Sequence, residues 1–137
     1  MIIKVMIDTN IIISGMLFNG PERKLLNYAS EKKFILVLSE FSLREARMVF
    51  KRKFPEKEKL LDEVISVLPV KIIPLPSLEK VKEAEKIIRD RKDAFILATA
   101  MEIEPNIFVS GDKDFHTDEV KKVMHVVSTG EALALFM

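Results

Sequence analysis

Ile2-Ile3-Lys4-Val5-Met6-Ile7-Asp8-Thr9-Asn10 is a short apolar run that stops at a carboxylate. Ile2–Ile7 is rich in β-branched residues and does not alternate polar with apolar, so it predicts a strand buried on both faces. Ile107-Phe108-Val109-Ser110-Gly111-Asp112-Lys113-Asp114 repeats the arrangement near the other end of the chain. Between them lie two more apolar runs, Phe34–Leu38 and Val70–Ile73, and Met124–Val127 predicts a short fifth strand.

Helical segments separate these strands. Gly20-Pro21 opens one, with Pro at the first helical position and Leu25, Leu26 and Ala29 inward. Ser39 or Ser42 starts the next, which runs to about Phe54 and is broken by Pro55. Leu60, Leu61, Val64, Ile65 and Leu68 form the stripe of a third. Ser77 caps a fourth, with Leu78, Val81, Ala84 and Ile87/Ile88 inward. Asp93–Ile103 is apolar nearly all round, which predicts a helix buried on most sides, and Thr129–Phe136 predicts a final short helix. Strands apolar on both faces alternating with helices imply an α/β fold with three α/β/α layers, a parallel sheet and right-handed crossovers. Ligands bind such folds outside the carboxyl ends of the strands.

Composition narrows the chemistry. The 137 residues fit one domain, 1–137. Apolar residues make up 48% and charged residues 31%, enough to build a core without disulfides. There is no cysteine, so a thiol nucleophile, a redox dithiol and a Cys-ligated zinc site are excluded. Only two histidines are present: His125 falls in an apolar strand and reads as structural, and His116 reads as a solvated loop residue near Asp114. The net charge of +1 rules out a uniformly basic nucleic-acid coat but not a local patch. The longest apolar stretch, Ala94–Met101, is far below the roughly 18–20 residues of a membrane span. Asp8 and Asn10 interrupt what would be an export signal, so a cytoplasmic protein is expected. Abundant Lys (16) and Glu (14) without any Gln suggests a thermophile.

The acidic residues carry the functional signal. Four of the seven aspartates, Asp8, Asp93, Asp112 and Asp114, sit at strand ends or at the start of the buried helix. A parallel sheet brings Asp8, Asp112 and Asp114 to one edge. Each alone also suits a turn or a helix cap. Glu45 has apolar helical neighbours in Phe41, Met48 and Val49. It is either a carboxylate that needs a cation or donor, or the far half of a capping box Ser42-x-x-Glu45, which fails if Ser39 is the cap. Asp90 and Asp93 share a similar ambiguity, with Asp90 the better N-cap. Carboxylates clustered without His or Cys suit Mg²⁺ or Mn²⁺, and such sites mostly handle phosphates. No phosphate-binding glycine loop or serine-hydrolase elbow is present, and Asn10 stands where an aspartyl-phosphate enzyme needs a second Asp.

Asp8-Thr9-Asn10, Glu45, Asp93-Ala94-Phe95-Ile96-Leu97-Ala98 and Ser110-Gly111-Asp112-Lys113-Asp114-Phe115, in that order, resemble the PIN domain over about residues 3–136. The resemblance implies a four- or five-stranded sheet in the order 3-2-1-4-5. It also implies a metal-dependent endoribonuclease of the kind found as the toxin of a toxin–antitoxin pair. Asp8, Glu45, Asp93 and Asp112 match the family's acidic quartet, and Asp114 a frequent fifth member. Together they would hold one or two Mg²⁺ or Mn²⁺ ions. Asn10 and Ser110 match supporting positions. Thr129-Gly130 departs from the frequent Thr-Pro, which bears on the last turn only. RNA would need basic help, offered by the seven basic against three acidic residues of Arg44–Lys59, by Arg89, Arg91 and Lys92, and by Lys113. Arg44, Arg91, Lys92 and Lys113 are the candidate RNA contacts, with a solvated helical face as the alternative for them. An antitoxin protein and a homodimer, with Leu133–Met137 as a contact, are the other partners implied. The alternatives to catalysis on RNA are a non-catalytic RNA- or partner-binding PIN module and a DNA- or flap-directed nuclease.

Overall fold

The computed structural model describes residues 2–137. Five strands, β1 (Lys4–Ile7), β2 (Ile35–Ser39), β3 (Val70–Ile73), β4 (Ile107–Val109) and β5 (Val126–Val127), form one sheet in the order β3-β2-β1-β4-β5. Every pairing is parallel, with Met6 opposite Val37 on one side and Phe108 on the other. The expected topology is therefore the observed one, with five strands rather than four.

Successive strand residues face opposite sides of a sheet, and here that alternation sorts the core into two layers. Val5, Ile7, Leu36, Leu38, Ile107 and Val109 face one layer. It is built by helices α1 (Thr9–Leu17), α2 (Pro21–Ser30), α3 (Glu40–Lys53), α4 (Glu58–Val67) and α8 (Thr129–Phe136). Met6, Val37, Phe108 and Val126 face the other, built by α5 (Leu78–Glu85), α6 (Arg91–Ile103) and α7 (Asp118–Lys121). In that layer Phe115 meets Phe108 edge-on, ring centres 5.0 Å apart. In α6, Ala94 and Ile96–Ala100 are all buried, as its all-round apolar sequence requires.

Several boundaries differ from the sequence expectation. Helix α1, which the sequence left unassigned, follows β1 at once, because Asp8 leaves the strand extended and its side chain caps the helix. The α1–α2 crossing is close. A Cβ built on Gly15 would lie 2.5 Å from Leu26 Cδ1 and 3.2 Å from the Glu22 carbonyl oxygen. Arg23 then donates from Nε and Nη2 to the carbonyls of Gly15 and Met16, satisfying the end of α1. Gly15→Val is expected to cost about 2–3 kcal/mol by overpacking against Leu26, which is itself buried. The urea midpoint measures it, and an unchanged midpoint would show that the two helices separate freely.

Ser39, not Ser42, caps α3, accepting from the Ser42 amide at 2.9 Å. Helix α5 stops at Glu85, so Ile87 and Ile88 lie in the linker to α6. Asp90 caps α6, which begins at Arg91 instead of Asp93. Of the α4 stripe, Leu61 and Leu68 are buried, while Leu60, Val64 and Ile65 are half-buried because α4 covers only a margin of the core. His125 is exposed rather than packed, since it precedes the edge strand β5 and contributes only its carbonyl, which accepts from Phe108. No helix among the described residues is long and apolar enough to cross a membrane.

Candidate metal centre

Because all five strands run the same way, the segments that leave β1 and β4 emerge at one edge of the sheet. Asp8 ends β1, and Ser110 to Asp114 follow β4. The first residues of α1, the second turn of α3 and the start of α6 close around them. The result is a cleft of about 240 Å³ lined by Asp8, Thr9, Asn10, Glu45, Val49, Asp90, Lys92, Asp93, Ile96, Asp112 and Asp114. All five carboxylates singled out in the sequence meet in it.

Asp8 is the deepest, only 4% exposed. Its Oδ1 accepts from the Thr9 amide at 2.7 Å and its Oδ2 from the Ser110 hydroxyl at 2.8 Å. The Ser110 hydroxyl in turn accepts from the Asp112 amide at 3.0 Å, and Asp112 Oδ1 accepts from the Asp114 amide at 2.9 Å. A chain of short-range bonds thus places three carboxylates relative to one another. The Ser110 carbonyl lies 2.7 Å from His116 Nε2, so His116 buttresses this loop rather than standing in solvent.

Glu45 sits six residues past the Ser39 cap, too far inside α3 for a capping box. The Thr9 hydroxyl donates to its Oε1 at 2.8 Å. Thr9 is the supporting residue that the sequence did not mark, because its partner lies 36 positions away and no spacing announces it. Asn10 lines the cleft but is exposed, and its side chain makes no hydrogen bond among the described residues. Ser110, by contrast, is buried and hydrogen-bonded to Asp8 and to the Asp112 amide.

One oxygen from each of Asp93, Asp112 and Asp114 lies within 4.8 Å of the others. Such a set strains against itself. The Asp93 carboxyl is pushed up to about 7, first by burial and then by repulsion from Asp112, Asp90, Asp8 and Asp114. Burial likewise lifts Asp8 to about 6, against the bonds from Ser110 and Thr9 that pull it down, with Asp112 and Glu45 adding repulsion. A divalent cation among these oxygens would offset the repulsion, and an all-oxygen donor set suits hard cations such as Mg²⁺ and Mn²⁺. The residues fit the ion.

The basic candidates are dispersed. Lys92 lines the cleft, while Arg91 and Lys113 are exposed beside it. Arg44 pairs with Glu40 one turn earlier, and Arg47 with Asp62 at 3.1 Å, so part of the basic face of α3 is already balanced.

Comparison with known proteins agrees with the fold. PAE2754 from Pyrobaculum aerophilum has a similar structure, with TM-score 0.72, 13% identity, and coverage of 98% of this chain and 95% of that one. A chain of VapBC2 from Rickettsia felis, solved bound to a DNA fragment from the promoter, gives TM-score 0.70 at 15% identity over 91% of this chain and 98% of that one. VapC20 from Mycobacterium tuberculosis, a sarcin-ricin loop cleaving toxin, gives TM-score 0.60 at 13% identity over 82% and 92%. No protein of curated function matches the sequence. The family model for the PIN domain matches residues 4–114, from the first strand through the last of the clustered carboxylates, and the chain belongs to the PIN domain family.

Proposed function

We propose that the protein is a divalent-metal-dependent endoribonuclease, the toxin partner of an antitoxin protein. The observation that carries the reading is the convergence of Asp93, Asp112 and Asp114 oxygens within 4.8 Å beside the buried Asp8. Asp8, Asp93 and Asp112 would be the main ligands of Mg²⁺ or Mn²⁺, with Glu45 and Asp114 completing the set. When bound, such an ion neutralises phosphate charge, lowers the pKa of a coordinated water and stabilises the leaving oxygen.

The chain's own residues do the rest. Ser110 and the Thr9 amide hold the Asp8 carboxylate in one orientation, and the Thr9 hydroxyl does the same for Glu45. Lys92, at the rim, offers a cation to the RNA backbone, with Arg91 and Lys113 nearby. The sarcin-ricin loop cleavage named for VapC20 supports an RNA target, and the VapBC2 assembly supports a protein partner. Action in the cytoplasm, where RNA is met, follows from this reading.

The test is degradation of a labelled single-stranded RNA by the purified protein with Mn²⁺, Mg²⁺ or excess chelator, beside DNA of the same sequence. Internal cleavage of RNA with either metal and none with chelator is expected. Cleavage in chelator, or of DNA alone, would overturn the proposal. Metal binding by calorimetry without any cleavage would identify a non-catalytic module instead.

A further inference from the structure

A second depression, of about 520 Å³, adjoins the acidic cleft and shares Asp90 and Asp114 with it. Its other walls are Ile87, Ile88, Arg89, Thr117 and Glu119. The size falls in the range of roughly 300–1,000 Å³ common for small-ligand sites. Resting on the ribonuclease reading, we propose that it receives the nucleoside next to the scissile phosphate of single-stranded RNA, with Arg89 and Glu119 as the residues that select the base.

Charge decides which part of the substrate fits. Asp90 and Glu119 face a single guanidinium, Arg89, so a phosphate would meet net repulsion even with Asp114 held by the metal. An uncharged base and ribose would not. Ile87 and Ile88 supply an apolar wall, and Ile88 is only 5% exposed. Unstacked RNA bases bind on such surfaces, stacking on an Arg plane and hydrogen-bonding at their edges. Arg89 donates to base acceptors, and Glu119 accepts from base amino groups or ribose hydroxyls.

The linker that carries Arg89 is held at both ends. The amides of Ile87 and Ile88 both donate to the Ala84 carbonyl at 2.9 Å, and Asp90 caps α6 immediately afterwards. Arg89 is exposed and has no ion-pair partner among the described residues, so its guanidinium is free for a ligand. Asp90, next in sequence, lines both depressions, so a base held here would adjoin a phosphate at the carboxylates.

Two measurements test the proposal. Cleavage of an RNA pool randomised around one site should show a base preference in the wild type. Arg89→Ala should flatten that preference and raise KM about tenfold or more, with kcat changed less than about threefold and an unchanged melt. Glu119→Gln should alter the preference. Separately, the four ribonucleosides are titrated without metal while amide shifts are followed by NMR. At least one should move Arg89 and Thr117 in the wild type and fail to do so in Arg89→Ala. Unchanged KM and preference in the variant, or no shift with any nucleoside, would overturn the subsite. Failure of the wild type to cleave RNA would instead overturn the ribonuclease reading, since the nucleoside titration needs no catalysis.

Discussion

Asp93→Asn is expected to lose Mn²⁺-dependent RNA cleavage by roughly 10³-fold or more, the scale seen when one member of a catalytic unit is removed. The same substitution is expected to raise the thermal midpoint of the metal-free protein at pH 8. Burial, and then repulsion from Asp112, Asp90, Asp8 and Asp114, hold the Asp93 carboxyl up at about 7 instead of 3.8. A raised carboxyl binds its proton more tightly folded than unfolded. Its contribution is neutral below about pH 3.8 and becomes a penalty as pH climbs towards 7. At pH 8 the folded protein carries that penalty in full, and Asn does not. Asp93 is half-buried, so solvent screening reduces the effect to about 1–2 kcal/mol, or some 3–8 °C. The difference should vanish near pH 3, where the Asp93 carboxyl is protonated folded and unfolded alike. Melts at the two pH values and a cleavage assay check the set. Full activity of the variant, or a lower midpoint than wild type at pH 8, would show that Asp93 serves the fold rather than the metal.

That combination, loss of function with gain of stability, separates a site carboxylate from a structural one. Asp90 is the contrasting case a few residues earlier. Its Oδ1 accepts from the Lys92 and Asp93 amides, so its charge supports the start of α6. Sequence reading named Asp90 the better N-cap, and Asp90 is the residue that caps α6.

Legibility elsewhere followed the range of the interaction. The strands announced themselves because a sheet covered on both faces needs continuous apolar runs, as Ile107–Val109 shows. Helix α1 did not, because Ile11, Ile12 and Ile13 are β-branched and Gly15 is a poor helix former. It forms because Asp8 caps it and because Ile11, Ile12 and Met16 bury against the sheet and α2, none of which local propensity contains. Glu45 stood out in the sequence as a carboxylate with apolar helical neighbours, but its donor Thr9 comes from another element and was not legible there. Of the basic stretch Arg44–Lys59, the pairing of Arg47 with Asp62 was not legible, because it depends on how α3 lies against α4. His116 shows the same limit in reverse, its place under Ser110 being set by the turn that follows β4.

Mn²⁺ affinity should fall by about 30- to 100-fold between pH 8 and pH 5.5, because the carboxyls must release their protons before they can bind metal. Near 7 for Asp93 and near 6 for Asp8, both are largely charged at pH 8, whereas at pH 5.5 nearly all of Asp93 and most of Asp8 are protonated. The sign is the same as for a histidine site, since both lose affinity in acid; what differs is which residues carry the loss. Calorimetry at pH 6 in two buffers of different ionisation enthalpy should therefore find roughly one proton released per metal bound. In Asp93→Asn the residual binding should be weaker at pH 8 and much less dependent on pH, because the group with the higher value is gone. An affinity flat from pH 8 to 5.5, with no proton release, would place the metal away from Asp8 and Asp93. The crowding of Asp93, Asp112 and Asp114 would then serve some other end than holding a cation.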